Sequence, residues 1–159
     1  MRAAAFHAAG EGLFSWASRD ELEIHDVGPA MPDAVLSSSL QSRGVVCHGL
    51  LDASRVCGLL AESAFGLVVY PVEYVAKSSV FAAYCAHGVC PILISKRYTP
   101  TDGLVAGKHY LCDIPYATLS AATARVVGRT ARMWYQPHGI AYHAATASRL
   151  LSVVGRGVR

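Results

Sequence analysis

Residues 66–95, GLVVYPVEYVAKSSVFAAYCAHGVCPILIS, decide how this 159-residue chain is read. GLVVYP is a short apolar run rich in β-branched residues and closed by Pro71, the pattern of a strand buried on both faces, as in a parallel sheet. CPILIS, residues 90–95, repeats it. Between them, Ser78 and Ser79 can cap a helix in which Val80, Phe81, Tyr84 and Cys85 recur at helical spacing, and Gly88 stands where a left-handed C-terminal residue costs least. The unit is strand, helix, strand, with Glu73, Lys77, Ser78 and Ser79 grouped at its first junction. In an open parallel sheet, ligands bind beyond the carboxyl ends of the strands, where helix N-termini present unpaired N–H groups and a partial positive charge. An anion therefore belongs near Ser78.

Working upstream, LEIHDVG (22–28) alternates and ends on Gly28 and Pro29, after which Asp33 can cap a short helix from Ala34 to about Gln41. GVVCHG (44–49) gives a second strand, and Asp52 or Ser54 can cap the next helix, with Val56, Leu59, Leu60 and Ala64 as its inward stripe. Residues 1–20 show no clear period, and Gly10 and Gly12 make them a connector, or a remnant of something upstream, rather than a core element. Downstream, KRYTPTDG (96–103) is a polar turn, and HYLC (109–112) suits a short fifth strand. Helices follow over 116–135 and 140–154, then a tail at 156–159. Trp134, Tyr135, His138 and Tyr142 read as a packed aromatic corner between those helices. Lys96, Arg97 and Lys108 are phosphate contacts if their loops lie at the strand ends, and solvated cations otherwise.

The order predicts an α/β domain over 21–155: a Rossmann-like open parallel sheet of about five strands flanked by helices, with a C-terminal helical pair. Runs near 22–27, 45–48, 67–70 and 91–94 are its expected central strands. G-x-G-x-x-G and G-x-x-x-x-G-K-[ST] are both absent, which removes the usual signatures of dinucleotide binding and P-loop ATPase activity. A composition of 53% hydrophobic and 16% charged residues excludes disorder, and no apolar run approaches the roughly 20 residues of a membrane span. The start, MRAAAFHAAG, is too short and too interrupted for a secretion signal. Cys47, Cys57, Cys85, Cys90 and Cys112 are odd in number, lie in or beside apolar segments and form no C-x-x-C pair, so they read as buried free thiols in a reducing, cytoplasmic setting. A zinc site joining Cys85 and Cys90 to His138 and His143 would need a longer gap than a finger has, and no metal is expected. The net charge of +3 is modest, concentrated at Arg149, Arg156 and Arg159, and fits a solvated helix face better than a nucleic-acid or lipid surface.

YPVEYVAKSSVFAAYCAHGVCPIL also resembles the donor-binding segment of glycosyltransferases with the two-lobed GT-B architecture: a strand ending in Pro71, then Glu73, a helix begun on small polar residues, and Ala86, Gly88 and Pro91 leading into the next strand. Gly28 followed by Pro29 resembles the first glycine loop of that lobe. The resemblance runs from about Leu22 to the last helix and implies a nucleotide-diphosphate sugar as substrate, with no further cofactor. It places the diphosphate on Lys77, Ser78 and Ser79, gives Glu73 and Gly28 to the sugar and its orientation, and sets His48 at the border of the nucleobase, where a histidine bonded to backbone is the alternative. It assigns no catalytic residue. Many members carry a second acidic residue on the helix for the donor's ribose, and the matching position here is Ala83.

Such enzymes need an acceptor-binding lobe as well, and this chain has room for one lobe. The expectation is a glycosyltransferase donor lobe that is a fragment, a truncated relative, or half of a two-chain or self-associating enzyme, inactive or very weak alone. A non-catalytic nucleotide- or partner-binding module that keeps the fold is the other reading, favoured by Ala83 and opposed by the polar group Glu73, Lys77, Ser78 and Ser79.

Overall fold

A computed structural model describes residues 2–95, 102–112 and 116–154 of the chain. Their order is α1 (Arg2–Arg19), β1 (His25–Val27), α2 (Ala34–Ser42), β2 (Val46–Gly49), α3 (Ala53–Glu62), β3 (Phe65–Val69), α4 (Ser79–His87), β4 (Cys90–Ile94), α5 (Ala121–Tyr135) and α6 (Ile140–Val154). Short 3-10 turns cover Val72–Lys77, Tyr116–Thr118 and Gln136–His138. The fold is α/β, and its strand pairs are parallel, as the strand–helix–strand pattern requires.

Local chemistry sets the helix boundaries. The side chains of Asp33, Asp52 and Ser78 accept from the N–H of Leu36, Arg55 and Phe81, satisfying first-turn donors that the helix cannot satisfy itself. Asp52, rather than Ser54, is the cap of α3. Gly88 ends α4 at φ 74°, a left-handed conformation that a side chain would penalise.

β4 is the centre of the core. Cys90–Leu93 are buried on both faces, with Ile92 packing toward Leu13, Trp16 and Val127, and Leu93 toward Phe81, Tyr110 and Ala131. Pro91 fits in this buried strand because Cys90 and Ile92 face the β3 ladder, leaving the proline nitrogen on the other side. There the Pro91 carbonyl accepts from Leu111 N–H at 2.8 Å.

Four expectations are corrected. The sheet is not a five-stranded one: among the strands of the described residues β1 pairs only with β2 and β3 only with β4, giving two separate two-stranded sheets. HYLC is not a regular strand. Leu111 bonds β4 in both directions, but the turn at 107–109 and an Ala106–Tyr110 bridge bend the chain away at once. Residues 2–19 are not a plain connector but a helix kinked at Gly10, whose Phe6, Ala9, Leu13 and Trp16 enter the core. Finally, the stripe Val56, Leu59 and Leu60 of α3 is only partly covered, and no residue of that helix is buried.

The five cysteines are free thiols, with Cys85 and Cys90 buried, Cys47 and Cys112 half-buried and Cys57 exposed. Trp134 stacks on His138 at 4.3 Å, with Phe81 edge-on at 6.0 Å, while Tyr142 stands half-exposed outside that corner. Lys96, Arg97, Arg156, Arg159 and the 156–159 tail lie outside the described residues. Among the described residues, no helix is long and apolar enough to cross a membrane.

Candidate functional site

Between the two parallel pairs runs a cleft of about 720 Å³. One wall is the outer edge of β1 with Asp26 and Val27, and the facing wall is the outer edge of β3 with Phe65 and Leu67. The first two turns of α4 contribute Ser79, Val80, Ala83 and Tyr84. Arg2 also borders the cleft.

The α4 N-terminus differs from its expected role in one respect. Ser78 is buried at 6% exposure, its N–H donates to Val75 C=O at 3.0 Å, and its hydroxyl accepts from Phe81 N–H at 3.3 Å. Ser78 is therefore fully engaged as a cap. The donors of the first turn left without a partner among the described residues are the N–H groups of Ser79 and Val80, and Ser79 is exposed.

The remaining expected site residues are dispersed. Lys77 is exposed with its ammonium 5.4 Å from the ring centre of Tyr74, and Glu73 is half-buried in the preceding 3-10 turn, so neither borders the cleft. Lys108 is exposed on the turn before Leu111. His48 lies in a second, shallow depression of about 390 Å³ with Leu51, Arg55 and Leu59. One ring nitrogen of His48 meets Nδ1 of His25 at 2.9 Å, a hydrogen bond between imidazoles, and His25 Nε2 is 3.3 Å from Glu23 Oε2. The alternative of a backbone-bonded histidine is thus replaced by a His–His pair.

Gly28 sits at φ 143° at the carboxyl end of β1, and the guanidinium of Arg2 fills the space that a side chain there would need. Arg2 Nε is 3.4 Å from Asp26 Oδ1, and Nη2 donates to the Pro29 carbonyl. Nη1 is buried and has no hydrogen-bond partner among the described residues. A guanidinium keeps its charge at any physiological pH and is suited to a phosphate or carboxylate. The sequence reading missed Arg2 because its partners lie 24 and 27 positions away. The one available signal was an acid, Asp26, inside an apolar strand.

Tyr84 stands over Gly66, where a Cβ would come within 2.6 Å of its ring, and its hydroxyl donates to the Leu67 carbonyl at 3.0 Å. Burial pushes that phenol up to about 12, so it remains a donor. Ala83 places a methyl group on the same wall. Among the described residues, no three His, Cys, Asp or Glu side chains gather to hold a metal, and the Cys85, Cys90, His138 and His143 grouping is not assembled. Comparison with protein-family models and with curated proteins finds no match for this chain.

Proposed function

We propose that the chain is a donor-binding lobe for a nucleotide-diphosphate sugar, transferring sugar only when an acceptor-binding lobe is supplied by a partner chain or by self-association. The supporting observation is that two sources of positive potential, the α4 N-terminus at Ser79 and the Arg2 guanidinium with its unpartnered Nη1, border one cleft beside parallel strands. The diphosphate takes the N–H groups of Ser79 and Val80, and the Arg2 guanidinium, held against Gly28 by Asp26 and Pro29, contributes its charge from the border of the cleft. Lys77, next to that helix start but outside the cleft, adds longer-range charge. Glu73, Gly28 and His48, expected for the sugar and the base, do not line this cleft. Stabilising the departing diphosphate is the main electrostatic task of such a transfer.

Ala83 on the cleft wall favours a second reading, binding without transfer, because nothing at that position can hold a ribose hydroxyl. Both readings share the anion site. Calorimetric titration with uridine and guanosine diphosphates and with the parent nucleosides tests it. The diphosphates should bind at about 0.1–1 mM, since one lobe supplies part of the contacts, and at least tenfold tighter than the nucleosides. The margin should shrink as salt screens the charges and on Arg2→Gln, and shrink less on Lys77→Ala. Equal affinity for diphosphate and nucleoside rejects the reading. Activity assays of the chain alone and with an added acceptor lobe then separate donor lobe from binding module.

A further inference from the structure

Among the described residues, the two parallel pairs each present an unused edge to the cleft. In the β1–β2 ladder, Val46 N–H donates to Ile24 C=O and Gly28 N–H to Gly49 C=O, so Ile24, Asp26 and Gly28 face β2. Alternation leaves the N–H and C=O groups of His25 and Val27 facing the cleft. In the β3–β4 ladder, Cys90 N–H donates to Ala64 C=O, so Ala64, Gly66 and Val68 face β4 and the backbone groups of Phe65 and Leu67 face the cleft. One of these, the Leu67 carbonyl, takes the Tyr84 hydroxyl. α3 connects β2 to β3, and a helical connection of this kind is the crossover by which a chain returns to run a following strand in the direction of the preceding one. Two open edges of the same direction thus flank one gap.

The gap has the size of a strand. Strand spacing of about 4.8 Å, sheet spacing of about 10 Å and a rise of about 3.3 Å give roughly 160 Å³ per residue, so 720 Å³ holds between four and five residues. β1 has three residues and β3 has five. The sides of the gap formed by α1 and α3 are apolar, with Leu13 and Trp16 from α1 and Val56, Leu59 and Leu60 from α3, while Arg2, Glu21, Glu23, Asp26 and Glu62 also line it. That α3 stripe is amphipathic at helical spacing yet has no strand beneath it, which is why no residue of α3 is buried.

We propose that the cleft is the seat of an additional β-strand supplied by a second polypeptide: an extended segment of four or five uncharged, apolar residues, running parallel between β1 and β3 and joining the two pairs into one sheet. Such strand addition takes its affinity from main-chain hydrogen bonds and its selectivity from the apolar walls, while a charged side chain facing α1 or α3 would be excluded by the cost of burying it. A small apolar ligand would fill the volume but leave both edges unpaired. Tyr84 acts as a placeholder whose hydroxyl moves off Leu67 when the strand enters. The strand takes the space that the nucleotide reading gives to the diphosphate, so the two occupants would compete for the cleft, and the proposal does not rest on that reading.

The test uses a synthetic peptide with a central run of five valines and isoleucines and a lysine pair at each end, added to the purified chain without nucleotide. Amide hydrogen exchange followed by NMR should show at least tenfold added protection at His25, Val27, Phe65 and Leu67. A peptide N-methylated at alternate central amides should bind at least tenfold more weakly, and Tyr84→Phe should bind the unmodified peptide about fivefold more tightly, having lost the competing hydrogen bond. Peptide binding without protection at those four amides would mean adsorption to apolar surface and would overturn the proposal. So would an absence of binding at millimolar peptide, or the same amides already protected in the free monomer, which would mean that β1 and β3 pair directly. Protection that appears only in a self-associated species by sedimentation would assign the cleft to a second copy of the chain instead.

Discussion

Gly128, in the middle of α5, lies so close to the turn that ends α4 that a methyl group there would overlap the carbonyl oxygen of Gly88 and come within 2.9 Å of its carbonyl carbon. The helix therefore seats directly on backbone, and the same methyl group would come within 3.3 Å of the amide nitrogen of Cys90 at the start of β4. Backbone cannot move aside as a flexible side chain can. Gly128→Ala should destabilise the chain by about 1–3 kcal/mol through overpacking. Gly58→Ala on α3, where a methyl group meets open space, should instead stabilise it by roughly 0.5–1 kcal/mol. Urea midpoints of the two variants check the contrast, and a neutral Gly128→Ala would mean that α5 does not sit on the Gly88 turn.

Ser78 and Ser79 are neighbours with different roles. Ser78→Ala should lower stability by about 1 kcal/mol, because the Phe81 N–H loses its acceptor in a buried setting. Ser79→Ala, at an exposed position, should leave the denaturation midpoint nearly unchanged. Equal losses would show that capping is shared between the two hydroxyls.

Burial pushes the Cys85 and Cys90 thiols up to about 12. The unfolded chain releases those protons near an ordinary thiol value of about 8.5, while the folded chain retains them. Their contribution to stability is therefore complete below about pH 8.5 and is lost as pH rises toward 12, at about 1.4 kcal/mol per pH unit for each thiol. Denaturant midpoints across that range should fall accordingly, with a shallower slope in Cys90→Ala. At pH 8, a small alkylating reagent should label the exposed Cys57 first, and Cys85 and Cys90 only on unfolding.

Trp16 ties α1 to the β3–β4 pair. Its ring lies edge-on to Phe65 at 4.9 Å and stacks on Tyr116 at 5.5 Å, and its Nε1 donates to Asp20 at 2.8 Å. Trp16→Ala should cost about 3–5 kcal/mol and remove most of the near-ultraviolet circular dichroism. A loss of under 1 kcal/mol would return residues 2–19 to the status of an appended segment.

The sequence by itself determined whatever depends on neighbours within one turn or one strand: the apolar runs that form β3 and β4, although only β4 is buried on both faces, the Asp33 cap of α2, a choice of two adjacent caps each for α3 and α4, and the left-handed Gly88. These signals are local, since a capping side chain reaches only the next turn and a buried strand needs only its own hydrophobicity. The helical spacing of Phe6, Leu13 and Trp16 was also present in the sequence, but Gly10 and Gly12 read as breakers, and only packing on Phe65 and Tyr116 makes that segment a core element. Tertiary structure alone decided the rest. An apolar strand is equally satisfied by any neighbour of matching pleat, so β1 and β3 give no sign in sequence that they stand apart, with their inner edges open. The positive charge at the cleft followed the same rule: Lys77, adjacent in sequence to the helix start, points away to Tyr74, while Arg2 reaches the cleft because folding brings α1 against the end of β1.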